Sequence, residues 1–270
     1  MSLDLTAPLA ADQTVREVLA IAGLPAGAAE VQIISHGRSG DLVAQVGARV
    51  VKLAPMDRPY NIVLLRQEIE VMRWLGERAK TPTILWTGAC EAGYGLVSEV
   101  AAGTPVSHVG KDQARAALIA TIRALAALHA LPYADCPFDR TLAARFPMAE
   151  AQVKAGLVDE DDFDDERAGW TAPQALAHAR ATAPKSEDLV LTHGDPSLPN
   201  FIWSDGQPVT LLDLGRFGIA DRHQDLAIFL HSAEYNHPRI DARALLREHY
   251  PLQQIDETAC AFYRLLDEFF

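Results

Sequence analysis

Apolar residues recur at two different spacings along this chain, and the spacing changes near its middle. Val15, Val18, Leu19 and Ala22 return every three to four residues, which predicts a helix over 14–23. From residue 31 the pattern becomes short β-branched runs. Residues 31–35, 42–46 and 49–53 read as strands, with the polar turn His36-Gly37-Arg38-Ser39-Gly40-Asp41 between the first two. Helical spacing returns over 62–78, carried by Val63, Leu64, Ile69, Met72 and Leu75, and a strand pair follows at 83–90 and 94–100. Beyond residue 101 helices dominate. Residues 111–130 are alanine-rich with Leu118, Ile119, Ile122, Leu125 and Leu128 on one face, and 173–183, 221–233 and 256–270 also read as helices. Between them lie a short buried strand at 189–191 and a hairpin, with Phe201 and Trp203 facing Val209 and Leu211 across the turn Ser204-Asp205-Gly206. The expectation is an α+β chain with a β-rich first part, 1–101, and a larger, mostly helical second part, 102–270.

That hairpin sits in the stretch with the densest candidate chemistry. His193, Gly194 and Asp195 precede it, Asn200 follows five residues after Asp195, and the second strand runs into Asp213-Leu214-Gly215. A carboxylate that can accept a proton, an amide oxygen and a second carboxylate are what magnesium-dependent phosphoryl transfer requires. One group orients the attacking hydroxyl, and two hard oxygens hold the metal against the phosphates. Arg216 follows closely enough to reach a phosphate. Lys52 interrupts an apolar strand, where lysine is uncommon. It is either an exposed edge residue or a phosphate-neutralising cation held by a helix glutamate. Glu68 and Glu70 share the helix after it but face about 200° apart at 100° per residue, so they cannot both reach Lys52.

The spacing HGDxxxxN resembles the HRDxxxxN catalytic loop of protein kinases, and DLG resembles their DFG. More narrowly, LTHGDPSLPN, LLDLGRFGIADRHQDLA and the closing AFYRLLDEFF resemble the aminoglycoside 3′-phosphotransferases, the kanamycin and neomycin kinases. CPFD at 136–139 and AGLVDEDDFDDE at 155–166 fit the same family. The likeness runs from about Lys52 to the last residue. It implies a protein-kinase-like, two-lobed fold, with a nucleotide-binding lobe over 1–101 and a catalytic, substrate-binding lobe over 102–270. It also implies ATP and Mg²⁺ as cofactors and an aminoglycoside as substrate.

The same resemblance assigns roles to residues. Asp195 would orient the sugar hydroxyl and take its proton, while Asn200 and Asp213 would hold the metal. Lys52 would hold the α- and β-phosphates, and counting seven residues back from Leu75, as the family pattern does, selects Glu68 as its partner. Ser39 would contact phosphate. Ser98 and Val100 would mark the segment whose backbone bonds adenine. Asp162, Asp164 and Asp165 fall on the aminoglycoside-binding acids, with Asp165 standing where relatives tend to have Glu. Asp267, Glu268 and the carboxylate of Phe270 would complete the substrate face. Asp225 would lock the catalytic loop. His129 and His193 read as structural hydrogen bonders. Gly194 replaces the Arg of HRD, which implies no activation by phosphorylation after Asp213. His231 and Ser232 depart from the charged groups that relatives often carry there.

Composition narrows the partners. A net charge of −12 over 270 residues disfavours nucleic acid and anionic membrane surfaces. No apolar run approaches the roughly 20 residues of a membrane span. The three cysteines are widely spaced and odd in number, which argues against a disulfide framework, and no Cys/His spacing suggests zinc. The first residues lack a basic start, so cytoplasm is the expected compartment, with a monomer or weak dimer as the expected state. The run Asp159-Glu160-Asp161-Asp162-Phe163-Asp164-Asp165-Glu166 reads as the opening of a helix, where carboxylates suit the dipole. Two rival readings remain. A kinase of choline, a macrolide or homoserine would need no such acid cluster. A non-catalytic, nucleotide-binding pseudokinase would not be expected to keep Lys52, Asp195, Asn200 and Asp213 together.

Overall fold

The computed structural model describes residues 8–36, 40–251 and 255–270. The chain divides into two compact units. One comprises the chain as far as Gly103 together with Thr210–Arg216, and the other comprises Thr104–Val209 with Phe217–Phe270.

In the first unit the helix α1 (Pro8–Ile21) precedes β1 (Val31–His36), β2 (Leu42–Val46) and β3 (Arg49–Pro55). Then come α2 (Pro59–Leu75), a single 3₁₀ turn (Gly76–Arg78), β4 (Ile84–Cys90) and β5 (Gly93–Glu99). The strands form one antiparallel sheet in the order β1-β2-β3-β5-β4. Strand alternation decides what each face carries. Val51 and Leu53 join Leu42, Ala44, Val46 and Val97 in a buried cluster under Ala11, Val15, Val18 and Leu19 of α1. Lys52 lies between them in sequence, so the pleat sends it to the opposite face. There it is paired in register with Val43 and Leu96, and α2 supplies its partner. Along α2 the buried residues Leu65, Glu68, Ile69, Met72 and Leu75 keep helical spacing. Glu68 therefore sits in an otherwise apolar stripe, whereas Glu70 is exposed.

The segment Thr210–Arg216 packs with this unit. The Leu211 amide donates to the Lys80 carbonyl at 2.8 Å, and the 3₁₀ turn Leu214–Arg216 lies against α2. A Cβ at Gly215 would stand 3.1 Å from the Leu64 carbonyl oxygen. The backbone approach of α2 thus explains the glycine that ends Asp213-Leu214-Gly215.

In the second unit β6 (Thr104–Pro105) precedes α3 (Lys111–His129), α4 (Leu142–Ala155) and α5 (Ala172–Thr182). Next are β7 (Leu189–Thr192), β8 (Phe201–Trp203) and, returning after β9 (Thr210–Leu211) of the first unit, β10 (Gly218–Asp221). The helices α6 (Arg222–Asn236), α7 (Ala242–His249) and α8 (Glu257–Asp267) complete it. β10 pairs with β7 and β6 with β8, both antiparallel. α6 is buried nearly all round, from His223 through Leu230, and is flanked by α8, α7, α3 and β7. Side chains cap the starts of four of these helices, with Asp221 accepting the His223 amide at α6. Thr171 and Gln174 form a reciprocal capping box at α5, and Asp241 and Asp256 accept the first amides of α7 and α8.

Three expectations are corrected. The acid run does not open a long helix. It makes two short 3₁₀ turns, Glu160–Asp162 and Asp165–Arg167, because its carboxylates are occupied locally: Asp159 accepts from the Asp161 amide, and Glu160 accepts from the Ala172 amide at 2.7 Å. Sequence periodicity missed α4, whose apolar pattern is interrupted by Pro147, and α7, whose eight residues fall below a clear repeat. The last helix ends at Asp267 rather than running to Phe270. Among the described residues no helix is long and apolar enough to cross a membrane.

Candidate functional site

The candidate residues assemble in two groups, one in each unit. In the first, the Lys52 ammonium donates to Glu68 Oε2 at 2.8 Å and to Asp213 Oδ1 at 3.0 Å. The Lys52 and Glu68 side chains are 18% and 8% exposed, whereas that of Asp213 is 54% exposed. Burial works against the charge on Lys52, but the carboxylates of Asp213 and Glu68 outweigh it and raise its pKa, so the ammonium stays protonated. Burial also pushes Glu68 up against the opposing pull of Lys52. Among the described residues Asp213 alone, glycines aside, has a positive φ, at 54°. A non-glycine residue there costs energy and marks a position the surrounding structure over-determines.

Sequence reasoning missed two neighbours. Asp41 is buried, accepts from Asn61 Nδ2 at 2.8 Å, and has its pKa raised chiefly by burial. Its only sequence signal was an acid at the end of the polar turn. Ser39 lies outside the described residues. Ser98 is buried within β5, and the Val100 amide donates to the Ala48 carbonyl at 2.9 Å. That donor is therefore engaged by the turn joining β2 and β3. Arg216 is half-buried in the 3₁₀ turn after Asp213.

The second group is built on the loop between β7 and β8. Asp195 Oδ1 accepts from the Ser197 hydroxyl at 2.6 Å and from its amide at 3.3 Å, and Oδ2 accepts from Asn200 Nδ2 at 3.0 Å. These donors fix the plane of the carboxylate. Asn200 Nδ2 also donates to the Asp195 carbonyl and the Ser197 oxygen, so the amide nitrogen is engaged within the loop. Ser197 was not foreseen; a serine two residues after an aspartate is a recurrent turn former and was the available signal.

Behind the loop, Asp225 is fully buried and accepts from the amides of His193 (2.7 Å) and Gly194 (3.0 Å) and from His129 Nε2 (2.9 Å). His129 Nδ1 meets the Tyr250 hydroxyl at 2.5 Å. Burial pushes that hydroxyl up to about 12, so it remains a donor, and His129 donates through Nε2 to Asp225. Asp225 is thus the lock expected for this loop, and His129 is a satisfied core histidine. Ser232 is buried, and its hydroxyl accepts the Leu198 amide at 2.9 Å. Gly194 has φ 91° with both backbone groups bonded, its amide to Asp225 and its carbonyl to Gln224. Gly194→Ala is expected to cost about 1–3 kcal/mol of stability and to lower kcat by about tenfold or more through displacement of Asp195. Thermal denaturation and steady-state rates check both.

The acidic residues separate into two kinds. Asp164 accepts from Arg167 and Arg264, both at 2.5 Å, and His231 Nε2 lies 3.6 Å from its other oxygen. Glu268 accepts from Arg167 at 2.6 Å and from the Asp164 amide at 3.0 Å. Arg167 and Arg264, which the sequence reading passed over, thereby clamp the segment 163–167 to the end of α8. Asp162 and Asp165 are exposed, and Asp267 is half-buried. Phe269 is buried, and the Phe270 ring covers the Arg145 guanidinium at 4.4 Å, so the closing aromatics do dock.

Among the described residues no three His, Cys, Asp or Glu side chains converge on a metal position. Asn200 in one unit and Asp213 in the other each carry a hard oxygen of the kind magnesium takes, an ion that needs few protein ligands because water and phosphate complete its shell.

Residues 30–263 match the model of the phosphotransferase enzyme family. The chain is 35% identical over 257 residues to an aminoglycoside 3′-phosphotransferase of Streptomyces fradiae, covering 89% of this chain and 95% of that one. Its fold superposes on a crystal structure of an aminoglycoside 3′-phosphotransferase of type VIII with a TM-score of 0.81 at 34% identity, covering 90% and 94% of the two chains. It also superposes on the aminoglycoside phosphotransferase APH(3″)-Id of Streptomyces rimosus, solved with ADP and streptomycin. That match has a TM-score of 0.78 at 27% identity and covers 96% and 98%.

Proposed function

Since the chain belongs to the phosphotransferase enzyme family, and its fold is the α+β, protein-kinase-like one, we propose that it transfers the terminal phosphoryl group of ATP to the 3′-hydroxyl of an aminoglycoside. The observation that carries the reaction is the Lys52 ammonium, bonded at once to Glu68 and Asp213. A protonated lysine fixed by a buried glutamate is the cation that phosphate oxygens require. The substrate class follows the aminoglycoside 3′-phosphotransferase relative, which shares over a third of its residues with nearly the whole chain.

In this reading Asp195 orients the sugar hydroxyl and accepts its proton as the oxygen attacks phosphorus. Ser197 and Asn200 hold the carboxylate still while it does so. Phosphoryl transfer asks little covalent chemistry of the protein, so positioning and charge neutralisation supply most of the acceleration. Asn200 and Asp213 would each offer an oxygen to magnesium, which would supply charge neutralisation on the phosphates when bound. Lys52 holds the α- and β-phosphates, Ser39 is assigned to phosphate by the sequence resemblance alone, and Arg216 neutralises charge developing at the donor. Ser98 and the Val100 segment face the purine through backbone groups, which requires the Val100 amide to leave the Ala48 carbonyl or the next residues to take its part. Asp162, Asp165 and Asp267 meet the ammonium groups of the sugar. Asp164 and Glu268 act after sharing their charge with Arg167 and Arg264. The Phe270 carboxylate adds to the same face.

The test is ATP turnover with magnesium against kanamycin, neomycin, the 3′-deoxy sugar tobramycin, and streptomycin. Turnover of the first two, none of tobramycin, and loss of activity on chelation are expected. Turnover of streptomycin in place of kanamycin would move the acceptor to a 3″-hydroxyl, the chemistry in the name of the Streptomyces rimosus enzyme. Turnover of no amine sugar would remove the substrate assignment.

A further inference from the structure

Gln224 has an amide side chain with 1% exposure, and a buried amide is costly unless both of its ends are bonded. Its Nε2 donates to the Gly194 carbonyl at 3.1 Å, and its Oε1 accepts from Arg145 Nη1 at 2.5 Å. The next residue, Asp225, accepts the Gly194 amide at 3.0 Å. Two successive residues of α6 thus grip the two sides of Gly194, one residue before Asp195. Asp225 is held from behind by His129. Gln224 is held instead by Arg145, which is itself buried at 5% exposure on α4 and lies under the Phe270 ring, 4.4 Å from its centroid. The guanidinium suits this place because its plane can lie against an aromatic face while its edge donates to Gln224. A lysine can do one or the other.

We propose that Arg145 and Gln224 are positioning residues that tie the ring of Phe270 to the Gly194 carbonyl, so that the segment following α8 and the loop bearing Asp195 are ordered together. The proposal rests on the reading above for the role of Asp195 and of the acids at the end of α8. Phe270 follows Asp267 and Glu268 by two or three residues, so whatever orders that segment also presses the ring onto Arg145. The stacked guanidinium fixes Gln224, and Gln224 fixes the peptide that sets Asp195. Engagement of the sugar at this face would therefore be read at the catalytic carboxylate, as a change in kcat rather than in ATP binding.

Hydrogen exchange of the 193–195 amides in the full chain tests the tie independently of turnover. Phe270→Leu removes the flat ring, Gln224→Met removes both bonds, Arg145→Lys keeps charge without the fork, and Phe270→Tyr keeps the ring. Phe270→Leu and Gln224→Met are expected to speed exchange of these amides about fivefold or more, with Phe270→Tyr close to wild type. The same two variants should lower kcat about tenfold with KM for ATP within about twofold, and the double variant should be no worse than Gln224→Met alone, as coupled residues are not additive. If Gln224→Met does not fold, Arg145→Lys takes its place in the cycle. Wild-type exchange in Phe270→Leu, or losses that multiply in the double variant, would overturn the proposal. A wild type that phosphorylates no amine sugar, with the exchange pattern intact, would instead leave the tie standing and sink the functional reading.

Discussion

Asp195→Asn and Asp195→Ala are expected to lower kcat by roughly 10²–10⁴, the range attributed to a positioned general base, with KM for ATP and for the aminoglycoside changed by a few-fold at most. The carboxylate touches Ser197 and Asn200, all within one short loop, and is half-buried. Its loss therefore perturbs the fold little. Asparagine preserves the size and one acceptor but presents an amide to Asn200, which is already a donor at that point. Alanine leaves Asn200 Nδ2 with the Asp195 carbonyl and the Ser197 oxygen as acceptors. Steady-state rates on purified variants, with nucleotide affinity measured separately, decide the matter. Full activity in both would exclude Asp195 as the base. A wild type that binds magnesium and ATP but is as inert as its variants would favour the pseudokinase reading.

Asp225→Ala should be the more damaging change to the molecule as a whole. It removes one carboxylate and strands three donors, the amides of His193 and Gly194 and the Nε2 of His129, in a place with no access to water. Leaving buried donors unpaired costs about 1–3 kcal/mol each, so a loss of about 3 kcal/mol or more is expected. For a chain of this size that corresponds to a fall in Tm of roughly 6–12 °C. The loop that carries Asp195 loses its backing at the same time, and a displacement of about 1 Å there costs about 10²-fold in rate. Asp225→Asn keeps one acceptor and should fall between. Thermal denaturation and kcat measured on the same preparations check both effects. A variant within about 1 °C of wild type would show that these amides find other partners, contrary to the burial seen here.

The two changes differ in how far the sequence foretold them. The HGDxxxxN and DLG spacings singled out Asp195, Asn200 and Asp213 as candidates, because phosphoryl transfer as proposed needs those side chains. The choice of Glu68 over Glu70 came with the resemblance, and the structure shows why it holds: Glu68 lies on the buried stripe of α2 and Glu70 does not. The role of Asp225 came with the resemblance, and the structure supplies its three donors. Ser197, Asp41 and Asn61 were not singled out, since each is a common polar residue whose meaning depends on a neighbour.

The sequence alone determined the order and type of most elements, the alternation that turns Lys52 away from α1, and the chemistry of the residues proposed to serve phosphoryl transfer. These follow from local periodicity and side-chain identity, which are properties of neighbours along the chain. The tertiary structure alone decided that Thr210–Arg216 packs with the unit containing Lys52, so that Asp213 meets the Lys52 ammonium across 161 positions. It also decided that Arg167 and Arg264 neutralise Asp164 and Glu268, and that Phe270, Arg145, Gln224 and Gly194 stand in one line of contact. Except for Arg167 with Asp164, three residues away, these pairings join residues far apart in sequence, and their energy comes from burying charge and hydrogen-bonding groups against one another. No local pattern encodes which distant partner will satisfy a buried group; only the packed chain selects it.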